Sequence, residues 1–186
     1  MGKKIKFIQG QMIEYEIYKL VDFYDPVLRH PTQEVDFQNP QFQILYTAMS
    51  LMETLGELNG LGLSANQVGL PYRMFAMNMG DKIWSFINPK IISKSDATSK
   101  YKEGCLSFPG LYLELNRAET ITVEFQAIGG EVMTQEFSGL TATCIQHEID
   151  HLDGVMFTDL VSPIKLDMAK RKIKTNIKKM KRMGRA

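Results

Sequence analysis

Between residues 72 and 137 the chain runs through five strand-like segments with no helical pattern between any two of them. Residues 72–79, 82–88, 111–116, 120–127 and 132–137 carry the apolar, β-branched and aromatic side chains that suit a pleated surface. Ala127-Ile128-Gly129-Gly130-Glu131 reads as the turn of a hairpin. Parallel neighbours need a crossover, usually a helix, so these strands are predicted to pair mostly antiparallel. A helical stripe precedes them: Ile44, Leu45, Ala48, Leu51, Met52 and Leu55 recur at helical spacing, with Asn39 as the expected cap and Pro40 in the first turn. Gly60 to Gly69 is too rich in glycine for a regular element and reads as a structured loop. Two helices follow the strands, one over 141–152 and one opened by Ser162-Pro163, with Leu166, Ala169, Ile173, Ile177 and Met180 on one face. The predicted class is α+β: mostly antiparallel strands packed around the central helix 141–152, with a basic helix at the C-terminal end.

A chain of 186 residues reads as one domain. It is long enough to build a core without a disulfide or a structural metal, so a metal, if present, is expected to serve chemistry. No apolar run approaches the ~20 residues that span a bilayer, so no membrane association is expected. The basic start, Lys3, Lys4 and Lys6, is interrupted at Gln9 and Gln11, unlike a secretory signal. The first 24 residues include Glu14, Glu16 and Asp22 but neither Arg nor Ser, unlike a transit peptide. The expected setting is therefore the cytoplasm of a bacterium or of a bacteriophage-infected cell.

The chemistry concentrates in Gln146-His147-Glu148-Ile149-Asp150-His151. Histidines four apart on a helix project from one face and can grip one metal ion, with the acid between them placed to take a proton from water. Two histidines four apart by chance on an amphipathic helix are the plainer explanation, but the chain has only three His. A catalytic site needs a third ligand and an open position. A metallopeptidase would find that ligand downstream, where Phe157 stands at the position of a third His and no Glu follows Glu148; only Asp153, Asp159 and Asp167 remain. Upstream, Glu103-Gly104-Cys105-Leu106-Ser107 offers Cys105, which would complete a Cys-His-His set. Alone, Cys105 is as well explained as an inert buried thiol, and Cys144 as a small core residue. By donor chemistry alone such a set is common for zinc. A third segment, Gly60-Leu61-Gly62-Leu63-Ser64-Ala65-Asn66-Gln67, pairs glycines that let a backbone approach closely with an amide that can donate to an oxyanion.

Together the three segments resemble the peptide deformylase family, whose pattern is G-x-G-x-(A/S)-A-x-Q, then E-G-C-x-S, then Q-H-E-x-D-H, in this order. The resemblance runs from about Asp25 to the C-terminal end and takes in Asp25-Pro26-Val27-Leu28-Arg29, Glu103 with Arg117, and Ser162-Pro163. It implies a hydrolase that removes the formyl group from N-formylmethionine at the start of nascent polypeptides. By that resemblance Cys105, His147 and His151 hold one divalent cation, natively Fe(II), with zinc, nickel or cobalt able to replace it. The resemblance further implies that hydroxide generated at the cation attacks the formyl carbon, and that Glu148 is the general base and then acid. Gln67 and the Leu106 N–H would stabilise the oxyanion. The main chain at Leu61, Gly62 and Gly104 would bind the peptide, and Leu140, Thr143 and Cys144 would line the methionine pocket, where Thr143 is more polar than the usual aliphatic residue. Glu103 and Arg117 would form a structural ion pair.

Charge is uneven. Residues 165–186 hold ten Lys or Arg against one acid, Asp167, a net +9, while the rest of the chain is net −8. Such a segment suits a polyanion, and the resemblance points to the ribosome rather than DNA; a solvated surface helix explains it equally well. The expected organisation is an extension over 1–24, a catalytic part over 25–164, and the basic helix 165–186 of the same domain.

Overall fold

The computed structural model describes residues 3–8, 11–39 and 43–182. In chain order the strands are β1 Lys4–Ile8, β2 Gln11–Tyr15, β3 Gly62–Ser64, β4 Met74–Asn78, β5 Ile83–Lys94, β6 Thr98–Cys105, β7 Phe108–Ala118, β8 Thr120–Gln126 and β9 Val132–Ser138. The α-helices are α1 Ile44–Leu58, α2 Gly139–Leu152 and α3 Pro163–Arg182. Every strand pairing is antiparallel, in a five-stranded sheet ordered β3-β4-β5-β8-β9 and two hairpins, β1-β2 and β6-β7. The predicted α+β class holds.

At β3 and β4 the sheet is buried on both faces, and β4 shows why. Met74 and Ala76 point to a cluster containing Leu51 and Leu55 of α1, while Phe75 and Met77 point to Ala142, Ile145, Ile149 and Leu152 of α2. Alternation along one apolar strand thus serves two helices. A third cluster joins Leu111, Leu113 and Leu115 of β7 to Phe157 and to Leu166, Ala169 and Ile173 of α3. The apolar face read on the C-terminal helix is therefore packed as far as Ile173.

Three boundaries differ from expectation. First, α1 starts at Ile44 after Gln43, which makes no side-chain cap bond, instead of at Asn39. Asp36 accepts from Gln38 N–H through Oδ1 and from Asn39 N–H through its carbonyl, which holds that segment in a turn; the expected Pro40 position lies outside the described residues. Second, the glycine loop contains β3 and a 3-10 turn over Ala65–Val68. Third, β1 and β2 pair and dock on α1: Lys6 pairs with Glu53 at 2.6 Å, and the N–H groups of Glu16 and Tyr18 donate to Ser50 Oγ and Thr54 Oγ1.

Candidate metal centre

The site forms where α2 lies between the edge strand β3 and the β6-β7 hairpin. α2 is pinned from both sides: Gln146 Nε2 donates to Ala118 O at 3.0 Å, and Asn66 Nδ2 donates to His151 O at 2.5 Å. On the helix face so fixed, His147 and His151 meet edge to face, their ring centroids 4.9 Å apart. The end of β6 brings in Cys105, and the ligand atoms of Cys105, His147 and His151 all lie within 4.8 Å of one another. Cys105 Sγ is 3.2 Å from His151 Nε2.

The downstream carboxylates are engaged elsewhere. Asp153 pairs with Arg73, Asp159 with Arg29 and Asp167 with Arg171. None of these three aspartates belongs to the group whose ligand atoms cluster with those of His147 and His151, whereas Cys105 does. His147 Nδ1 lies 3.0 Å from Glu103 Oε2, an arrangement that leaves Nε2 free for a ligand. Glu103 itself is gripped by Arg117 Nε and Nη2, and Arg117 Nη1 also reaches Asp150 at 2.5 Å.

Burial and neighbouring charges set the protonation of these groups. Burial alone would lower the His147 pKa, but the bonds to Cys105 and Glu103 and the nearby Glu148 charge outweigh it and push the value up to about 10. Burial also lifts Glu148, against the pull of His147 and of Ser64. Burial drives His151 well below its usual value, assisted by His147 and Arg117, so that it presents a neutral ring. A neutral imidazole, a thiol and a second imidazole amid carboxylates are a donor set suited to a divalent transition-metal ion.

The cluster opens into a cleft of about 380 Å³. Leu61, Gly62, Gln67, Gly104, Cys105, Leu106, Leu140, Thr143, Cys144, His147 and Glu148 all line it, so the expected catalytic, ligand and substrate residues meet here, with His151 beside Cys105 but not part of the lining. Gln67 is oriented by its neighbours: its Oε1 accepts from Ser64 N–H at 2.9 Å, which turns Nε2 towards Ser107 Oγ at 3.0 Å and Cys105 Sγ at 3.4 Å. Leu61 O accepts from Asn78 N–H at 2.8 Å, so that carbonyl is committed to the sheet. Alternation then turns the polar backbone groups of Gly62 to the open edge of β3. Cys144 lines the cleft beside Thr143, and burial pushes its thiol pKa up. Sequence reading missed Ser64 and Ser107 as contacts of Glu148 and Gln67, and Tyr101, Phe108 and Tyr112 as parts of the wall.

The family model for polypeptide deformylase matches residues 17–167, the span that contains every one of these residues. The chain belongs to the polypeptide deformylase family. The match begins eight residues before the Asp25 at which the resemblance was expected to start. A peptide deformylase from Agrobacterium fabrum is 40% identical over 161 residues, covering 84% of this chain and 94% of that protein. Among solved structures, peptide deformylase from Thermotoga maritima superposes with a TM-score of 0.74 at 37% identity, covering 80% of this chain and 99% of that one. The Synechococcus elongatus deformylase, solved in complex with actinonin, gives 0.77 at 34% identity, covering 84% and 86%. The protein is thus a metal-binding hydrolase by family, and its deformylase relatives share the antiparallel scaffold described above.

Proposed function

We propose that the protein hydrolyses the formamide of N-formylmethionine at the start of nascent polypeptides, releasing formate and a free amine. The observation that carries this reading is the meeting in one cleft of a Cys-His-His donor set, a buried carboxylate and an oriented amide. Cys105, His147 and His151 would hold one divalent cation, natively Fe(II), with zinc, nickel or cobalt as substitutes. Such a cation supplies the Lewis acidity that brings a water's pKa from about 15.7 to roughly 7.

The chain's own residues do the rest. Glu148 accepts the proton released as the water oxygen bonds the formyl carbon, and returns it to the nitrogen as the C–N bond breaks. Gln67 Nε2 and the Leu106 N–H donate to the oxygen that gains charge, a role worth ~10²–10³-fold per donor. Gly62 and Gly104 bind the peptide main chain as an added strand, with Leu61, whose carbonyl is committed to Asn78, flanking it, and Leu140, Thr143 and Cys144 take the methionine side chain. Backbone pairing reads no sequence, which suits an enzyme that meets many different chains.

Formate release from a formyl-Met peptide by anaerobically prepared Fe(II) protein, with Glu148→Gln as control, tests the reading. Formate from wild type and almost none from the variant is expected; no formate from the metallated wild type would overturn it.

We further infer that the enzyme works in the cytoplasm, on or near the ribosome. No helix among the described residues is long and apolar enough to cross a membrane. In α3 the apolar side packs on β7 while Lys170, Arg171, Lys172 and Lys174 remain outward. Removing residues 165–186 would also strip Leu166, Ala169 and Ile173 from the core, so replacing outward lysines by glutamate is the cleaner test. Salt-sensitive cosedimentation with ribosomes should weaken while turnover of short peptides stays unchanged.

A further inference from the structure

The carboxyl group of Glu148 lies in a slot formed by two residues of β3. Ser64, fully buried, places its hydroxyl 2.5 Å from Glu148 Oε2 and 3.1 Å from the Glu148 carbonyl oxygen. On the same face of the strand, two residues earlier, a Cβ on Gly62 would come within 2.3 Å of Glu148 Oε1 and 2.7 Å of its Cδ. One carboxylate oxygen is therefore held by a hydroxyl and the other lies against a bare Cα at the cleft wall. A glutamate side chain has three torsions to fix: His147, Glu103 and Asp150 act on Glu148 through charge, while among the described residues it is the Ser64 hydroxyl that bonds its carboxylate.

We propose that Ser64 is a positioning residue, whose hydroxyl anchors Oε2 and so keeps Oε1 of Glu148 directed along Gly62 towards the reacting centre. This rests on the reading of Glu148 as the proton-transfer group. The same residue reaches the second half of the machinery, since its backbone N–H orients Gln67 through Oε1. The two contacts separate cleanly. Any residue supplies the backbone bond, whereas only a hydroxyl-bearing one supplies the bond to Glu148. The sequence pattern admits Ala or Ser here, so Ser64→Ala keeps a backbone this fold accepts and removes one oxygen atom. An Ala enzyme must then hold the carboxylate by packing alone.

The experiment compares kcat and KM on a formyl-Met peptide for wild type, Ser64→Ala and Ser64→Thr, each also made in a Glu148→Gln background and assayed at high enzyme concentration. Bound metal and Tm are recorded for every protein. Expected is a fall in kcat of about tenfold for Ser64→Ala, the effect of a hydrogen bond to a charged group, with KM and metal content within twofold of wild type. Ser64→Thr, which restores the hydroxyl, should recover most of the loss, and Ser64→Ala should cost nothing further when Glu148 is already Gln. Unchanged kcat, a loss that tracks KM or metal content, or an equal loss in the Glu148→Gln background would each overturn the inference. If Ser64→Ala does not fold, Ser64→Cys, a weaker donor of similar volume, is read by the same criteria. Absence of formate from metallated wild type would overturn the functional reading itself, and this inference with it.

Discussion

Glu103 accepts from Arg117 Nε and Nη2 at 2.8 and 2.9 Å, and the same carboxylate meets His147 Nδ1 at 3.0 Å. The pair expected from sequence to be structural is thus also in contact with one of the metal-site histidines. All three groups are nearly excluded from water. Arg117→Met should leave Glu103 buried without its cation and destabilise the protein by about 3–5 kcal/mol. It should also loosen the His147 ring and lower metal affinity, typically about 10–100-fold for a lost outer partner. Urea unfolding and metal titration check both; a loss below about 1 kcal/mol would show that Glu103 finds water or another donor.

Cys105→Ala should purify without stoichiometric metal and without hydrolytic activity, because the remaining His pair offers two donors. Metal analysis of the purified variant decides this. Full occupancy would reopen the metallopeptidase reading, which draws its third ligand from elsewhere.

Gly62→Ala puts a methyl group where Glu148 Oε1 and Cδ now lie. The carboxylate must then leave its slot, and kcat should fall by about 10²-fold or more, the lower part of the range for a lost acid–base group. Metal content should be unaffected, since the three atoms nearest to the added methyl all belong to Glu148. Wild-type kcat in this variant would mean that Glu148 tolerates another position.

Tyr18 packs against the cluster around Leu51 and Leu55, and burial raises its phenol pKa above 10.0. The unfolded phenol ionises first, so this contribution to stability is complete below pH 10 and is lost as pH rises through the folded value. Tyr18→Phe should therefore lose less stability than wild type as the pH is raised from about 9 to 11. Parallel urea curves at the two ends of that range give the comparison, and equal slopes would count against it.

Much of this architecture was legible because it rests on local pattern. The strand run, the hairpin at Gly129 and Gly130, and both later helices follow from periodicity and turn residues. β6 escaped because Thr-Ser-Lys-Tyr-Lys-Glu-Gly-Cys is polar; one edge pairs with β7 and little of it is buried. The pairing of β1 with β2 escaped because the partners of this segment, Glu53, Ser50 and Thr54, sit on a helix 34–47 positions away. At the site, residue types and spacing pointed to His147, His151, Glu148 and Gln67 and offered Cys105 as a candidate third donor, which the family resemblance then singled out. The contacts that orient them did not show, because Ser64 looks interchangeable with Ala in a sequence until its oxygen is seen beside Glu148. For the same reason Leu61 could be matched as a peptide-binding position while its carbonyl is already committed to Asn78.

The centre is assembled from chain segments far apart: Gln67 meets Cys105 across 38 positions, Cys105 meets His151 across 46, and Ser64 meets Glu148 across 84. Each closure costs chain entropy before it returns any contact energy. An unfolded chain presents these donors only as scattered weak ligands, and a cation binds the closed arrangement far better. Mass action then ties the two events together: free metal above its dissociation constant delays unfolding, and unfolding releases the metal. Metal supply and conformational stability are in this way one linked quantity, and a change in either is read in the other.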